Sequence, residues 1–405
     1  MTRCRFSPTS TVVLATLTTA LLPQFACAAD ATVSWRVPNK FPVGLEVPVV
    51  ADSEPSVDGV AFNLEAPGQD AVAAQKDSQT NRLRFVTSTE EAHVGKAIRF
   101  KLSRHDGEPV VRVEKQKGGL QFYDGDRPVM FYQRDPTSLD GAYERANYLH
   151  PLLGLDGETL TQDFPSDHKH HRGVFWAWHQ LWVGDMRAGD AWATKDGLFV
   201  VKRAEVVDQG PVFATLKLLV HWVSPLITRD GERQPIVEET TLIRLFHATS
   251  SSQCIDFEIR LKPLLPDVKI GGSESVKGYS GFTVRIKPPK QLVITDVGGR
   301  LESDGVGSVS AWADASGRYN SNERVSGIGI LCHPSMPVFP PRWVLRHYGM
   351  ENVAYPGRDP VSLSAEQPLI LRHRLVIHRG DVATSRIADH QQAYSAGSPE
   401  PKQHD

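Results

Sequence analysis

The chain has 405 residues, with 45 Lys and Arg against 47 Asp and Glu and a formal net charge of -2. This length suffices for two to three domains, and 40% hydrophobic with 23% charged residues excludes a disordered or collagen-like chain. The balanced charge argues against nucleic acid as a main partner, because phosphate binding needs a basic surplus; 28 Pro and 32 Gly mark many turns, as β structure requires.

The first segment reads as a targeting signal. Arg3 and Arg5 precede an uncharged run from Thr11 to Leu22, and Ala26-Cys27-Ala28 supplies a small-residue cleavage site. Residues 1–28 are therefore expected to be a signal peptide, and the mature protein to be periplasmic or secreted. The run is too short to span a bilayer, and no later stretch reaches the ~18 apolar residues of a membrane helix. Of the four cysteines, Cys254 and Cys332 remain after cleavage. They do not make a disulfide scaffold, and Cys254 lies in an alternating run where a buried free thiol is expected.

Residues 29–104 read as a small N-terminal β domain, expected to be a sandwich. NRLRFVTS (81–88) and KAIRFKLS (96–103) alternate apolar and polar residues, as half-buried strands do. The turn cluster HDGEP (105–109) ends it. Residues 110–385 read as a large antiparallel β-sandwich. Its strands are expected within 110–133, then at 198–207, 213–223, 238–249, 254–264, 282–289, 327–333 and 369–378. No long 3.6-residue period competes. The polar stretch 388–405 is expected to be disordered.

The segment from Asp163 to Trp192 concentrates chemistry. Four of the 15 histidines (His168, His170, His171 and His179) and four of the 8 tryptophans (Trp176, Trp178, Trp182 and Trp192) fall within it. Flat aromatic faces and imidazoles beside carboxylates suit a sugar, its ring and its hydroxyls. If Val174 to Trp182 is a strand, Arg172, Val174, Trp176 and Trp178 share one face, and His171, Phe175 and His179 the other. Three readings stay open. In the first, His171 or His179 acts as acid and base, Asp167 orients an imidazole, and Arg172 holds an anionic group. In the second, the His-x-His pair, His168 and His170, binds a divalent metal. In the third, the histidines are hydrogen-bonded parts of a Trp-rich core.

Two further segments are candidates for the rim of a site. GGSESVKGYSGF (271–282) carries Lys277 and Tyr279 but lacks a phosphate-loop ending. The irregular stretch 332–357 carries His333, Arg342, Trp343, Arg346, His347 and Tyr348, with Glu351 as a carboxylate base. G-x-S-x-G, H-E-x-x-H, C-x-x-C and G-x-G-x-x-G are all absent from the sequence.

Together, DFPSDHKHHRGVFWAWHQ (163–180), YLHPLLGLDGE (148–158), GYSGFTVRI (278–286), GIGILCHPSMPVFPPRW (327–343) and HYGMENVAYPG (347–357) resemble a family of secreted bacterial proteins labelled PmoA-like, methane oxygenase PmoA. The resemblance covers about residues 115–380, with His168, His170, His171 and Arg172 as its core motif and His333 and Trp343 in its C-terminal block. It implies a large β-sandwich similar to mutarotase-like supersandwiches and an association with carbohydrate breakdown. Cys332 stands where the resemblance implies an acidic residue. A membrane-bound monooxygenase subunit would need spans that this sequence lacks, so methane oxidation is not inferred. The expected function is that of an exported carbohydrate-active enzyme on a glycan or oxidised sugar; the alternatives are a glycan-binding protein without catalysis and a divalent-metal enzyme.

Overall fold

The computed structural model describes Met1 and residues 31–52, 55, 58–319 and 323–397; the expected signal peptide lies outside the described residues. The N-terminal module is a six-stranded antiparallel sheet built from Thr32–Arg36, Val47–Val50, Ala61–Glu65, Val72–Lys76, Leu83–Thr87 and Ala97–Arg104. Alternation sets its inside: Ile98, Phe100 and Leu102 are buried, whereas the residues between them are exposed. The sheet curls until its edge strands meet, where the Asp52 N–H donates to the Ser34 carbonyl at 2.8 Å. Trp35, Phe62, Phe85 and Phe100 fill the interior.

The larger domain holds two nine-stranded antiparallel sheets. At the centre of one, Val174–Trp178 lies between Tyr148–Leu152 and Ser280–Arg285. At the centre of the other, Leu369–Arg379 lies between Ser252–Pro263 and Val325–Cys332. The sheets pack face to face through aromatic contacts. Phe257 of the second meets Phe282 and Trp176 of the first at ring-centre distances of 5.0 and 6.1 Å. The protein is thus all-β, dominated by a large antiparallel sandwich. Val174–Trp178 and Ser280–Arg285 are buried at every position, because a second layer also covers their outer face. That layer includes Trp192 and Arg145 on Phe175, and the chain runs on from Val174–Trp178 into a four-stranded sheet of Met186–Gly189, Gln180–Val183, Val268–Gly271 and Val361–Ser362.

One expectation is corrected. Residues 388–397 are not a disordered tail: Ile387–Ala396 is a helix. Its composition is polar, yet Ile387, His390, Gln391 and Ala393 are buried against the sandwich and the N-terminal module. Gly329 makes room for it, since a Cβ there would stand 2.8 Å from the Ile387 Cδ1. Cys254 and Cys332 are both buried free thiols. No helix among the described residues is long and apolar enough to cross a membrane.

Candidate functional site

Strand alternation divides the Asp163–Trp192 segment between two environments. Trp176 and Trp178 point into the core between the sheets, and His171, Phe175 and His179 point to the outer face against Trp192. The hairpin that follows then folds back. Gly184, at positive φ, turns Gln180–Val183 onto Met186–Gly189. The residue before the hairpin, His179, is thereby placed beside the residue after it, Asp190, with Nδ1 2.9 Å from Oδ2. Asp190 is fixed in turn, since its Oδ1 accepts from the Ala193 N–H at 2.8 Å. A carboxylate on Nδ1 fixes the tautomer, leaving Nε2 for a substrate proton.

The second histidine group sits on the loop after Pro165, where the His171 N–H donates to the His168 carbonyl at 2.8 Å. His168 stacks on His171 on one side and on Tyr348 on the other, each at 4.8 Å. Asp167 stands 3.0 Å from His168 Nδ1 at ion-pair distance, and both its oxygens accept from Arg285, at 2.7 and 3.0 Å. The Arg285 guanidinium lies 4.7 Å from the Tyr348 ring centre, which completes the stack. Ring contacts join this group to the first: His171 meets Trp192 at 5.8 Å, and Trp192 meets His179 at 5.4 Å and Tyr279 at 5.7 Å. His168, His170, His179, Tyr279 and Tyr348 are half-buried and form the accessible surface over buried Trp192 and His171.

Electrostatics separate the imidazoles further. Burial, then the neighbouring Arg145 and His168, bring the His170 pKa down to about 4. Burial and the neighbouring His170 and His168 depress His171 far below the ordinary imidazole range. Both rings are therefore neutral at pH 7 and available as acceptors or neutral donors.

Several expected site residues belong elsewhere. His171 was expected to act as acid and base, but it is 2% exposed beneath His168 and serves as a neutral packing partner. Arg172 was expected to hold an anionic group; it is wholly buried, lies 3.2 Å from the Phe164 ring centre, and donates to Asp163 and to the Thr137 and Tyr143 carbonyls. Trp176 and Trp178 are not a sugar platform. Their indole N–H groups are spent inside the core, on Glu239 Oε1 at 2.8 Å and on the Tyr355 carbonyl at 2.9 Å.

The 332–357 stretch is split. Tyr348 joins the histidines, and Arg346 reaches the edge of its ring at 5.6 Å while pairing with Asp304 at 3.2 Å. His347 is held by Asp304 and the Leu301 carbonyl. Trp343 is core, donating to the Ser310 carbonyl at 2.8 Å. His333 faces the N-terminal module and the helix, 5.1 Å from Tyr394. Glu351 was expected as a base, but it is wholly buried and burial pushes its pKa well up, so it is a neutral core acid. Lys277 stays at the rim, with Nζ 5.8 Å from the Tyr279 ring centre. His168 and His170, expected as metal ligands, stand edge to face at 5.9 Å. Among the described residues, no group of three or more His, Cys, Asp or Glu is arranged to hold a metal ion.

Sequence reasoning missed Asp190, Arg285 and Arg145. Asp190 had a signal, the Val-Gly-Asp-Met turn midway between it and His179. Arg285 and Arg145 come from distant strands and had none. Arg145 is buried under the site, donating to the Ala191 and Trp192 carbonyls at 2.7 and 2.9 Å, and burial with Arg172 nearby lowers its pKa to about 9.

Residues 119–392 match the family of unknown function DUF6807. No curated protein matches the chain. Among solved structures the chain is similar to YeaD from Salmonella typhimurium, described provisionally as a mutarotase, at 10% identity and a TM-score of 0.27, covering 78% of this chain and 97% of that one. The chain belongs to the DUF6807 family.

Proposed function

We propose that this DUF6807 protein is an exported carbohydrate-active enzyme that moves protons on a glycan or oxidised sugar. The hydrogen bond between His179 and Asp190 carries this reading. It is a half-exposed imidazole with a buttressed carboxylate on its Nδ1, set on an aromatic surface. In this reading His179 is one acid/base group, and His168, held by Asp167 and Arg285, is the other. Tyr279 offers a ring face to a sugar, and Lys277 offers its charge to an acidic substituent. Neutral His170, between the two, accepts or donates to a hydroxyl without carrying charge. The apolar run after Arg3 and Arg5 supports export.

The test is turnover of a panel of neutral and oxidised sugars and oligosaccharides, followed by NMR, with the wild type, His179→Gln and Asp190→Asn. Wild-type product formation is expected, falling by about 10²–10⁴-fold in both variants. Asp190→Asn keeps an acceptor for Ala193 and removes the charge that orients the imidazole. Binding of a sugar by all three proteins with no turnover by the wild type would sink the enzyme reading in favour of a glycan-binding protein.

A further inference from the structure

The junction between the two domains contains a cavity of about 160 Å³, remote in chain position from the histidine surface and lined by different residues. Six arginines line it: Arg36, Arg82 and Arg84 from the N-terminal module, and Arg244, Arg372 and Arg374 from the sandwich. Three wall carboxylates, Asp52, Asp256 and Glu258, oppose them. Their pairing is uneven. Asp256 takes both arms of Arg374 at 2.6 and 2.9 Å, and Glu258 takes Arg372 at 2.8 Å. Asp77, behind the wall, is shared by Arg84 and Arg244, at 2.6 and 2.8 Å.

Arg82 donates to the Ala51 carbonyl, and neither it nor Arg36 has a carboxylate within 4.0 Å among the described residues. Burial and the neighbouring Arg84 press the Arg82 pKa down against the opposing pull of Asp52. The rest of the wall is apolar and aromatic, including Trp35, Phe41 and Tyr394. A cavity of about 150 Å³ is large enough to take up a six-membered ring. Arg36 and Arg82 line it, Arg82 with Nε and Nη2 on the Ala51 carbonyl, and their remaining N–H groups suit a carboxylate.

We propose that this junction is a second ligand site, which takes a six-membered ring bearing a carboxylate, a hexuronic acid, with Arg82 and Arg36 on the carboxylate. The proposal does not depend on the chemistry assigned to the histidine surface. Titration calorimetry on the full chain with glucuronate, glucose and inorganic sulfate tests it. Glucuronate is expected to bind at least tenfold more tightly than glucose, and to weaken at least tenfold in Arg82→Gln and in 0.5 M salt. The exposed Arg36→Gln gives the same direction where Arg82→Gln lowers the melting temperature. His179→Gln is expected to leave this affinity unchanged. Equal affinity for glucuronate and glucose would overturn the proposal, as would binding of sulfate without glucuronate, or loss of glucuronate binding in His179→Gln alone.

Discussion

Glu351 is wholly buried, and no described group donates to either of its oxygens. Burial, with Asp314 nearby, pushes its pKa well above the usual carboxylate range. A group raised in the folded state stabilises fully below its unfolded pKa and loses that contribution as pH rises toward the folded value. Its unfolded counterpart ionises above about 4.5, so folding is opposed by about 1.4 kcal/mol for each further pH unit until the folded group also ionises. Glu351→Gln removes this opposition while keeping the shape. Urea unfolding should therefore show the variant gaining on the wild type between pH 4.5 and 7.5; a constant difference across that range would mean that Glu351 is ionised in the fold. A carboxyl group with partners behaves differently. The exposed Asp167 is held below its ordinary range by His168 and Arg285 against the opposing effect of burial. Burial likewise separates His171, a neutral packing ring, from His179, the half-exposed ring of the proposed chemistry.

At the scale of strands, Glu239 shows how a polar residue fixes packing between sheets. It lies on Glu232–Phe246, wholly buried, and accepts from Asn147, Trp176 and Thr241 on one oxygen and from Trp222 on the other, all at 2.8–3.0 Å. Glu239→Gln turns an amide donor toward one of these donors and should cost about 1–3 kcal/mol. Glu239→Ala strands all four and should cost about 3–5 kcal/mol, with a shifted tryptophan emission. Unchanged urea midpoints would show that the four donors find other acceptors. The sequence made long strands with branched or aromatic residues plain: 254–264 and 369–378 nearly coincide with Ser252–Pro263 and Leu369–Arg379. It concealed Trp312–Arg318, whose residues between Trp312 and Arg318 are small or polar yet wholly buried. Strand alternation also showed which residues of 171–179 share a face, but not which face is the core. That depends on the partner sheet, and only Phe257 opposite Trp176 and Trp192 opposite His179 decide it. Tyr348 and Arg285 reach the histidines through tertiary packing from more than a hundred residues away, and spacing alone carries no trace of that.

Across the whole molecule, the two domains are joined by buried polar contacts. Gln75 Oε1 accepts from the backbone of Val212 and Phe213, each at 3.1 Å, and Asp208 accepts from the Ser78 N–H at 3.1 Å. The helix adds a third tie, with Ala393 in the N-terminal core and Arg386 donating to the Val43 carbonyl at 3.0 Å. Asp77 is the charged centre of this junction, wholly buried between Arg84 and Arg244. Burial alone would raise its pKa, but Arg244 and Arg84 overcome that and lower it to about 2. A carboxyl lowered in this way stabilises fully above its unfolded value near 3.8 and loses that contribution as pH falls toward 2. Asp77→Asn removes the charge that the two arginines share and should cost about 3 kcal/mol, because breaking one side of a buried ion pair leaves charge poorly compensated. The loss should be visible at pH 7, shrink as pH falls below about 3.8, and vanish only below about 2, as the wild-type carboxyl itself becomes protonated. Scanning calorimetry reads both effects. The wild type should melt as one unit, whereas the variant should resolve an earlier transition for the N-terminal module. A variant that melts at the wild-type temperature in a single transition would show that the backbone contacts of Gln75 and the helix hold the domains together without the ion pair.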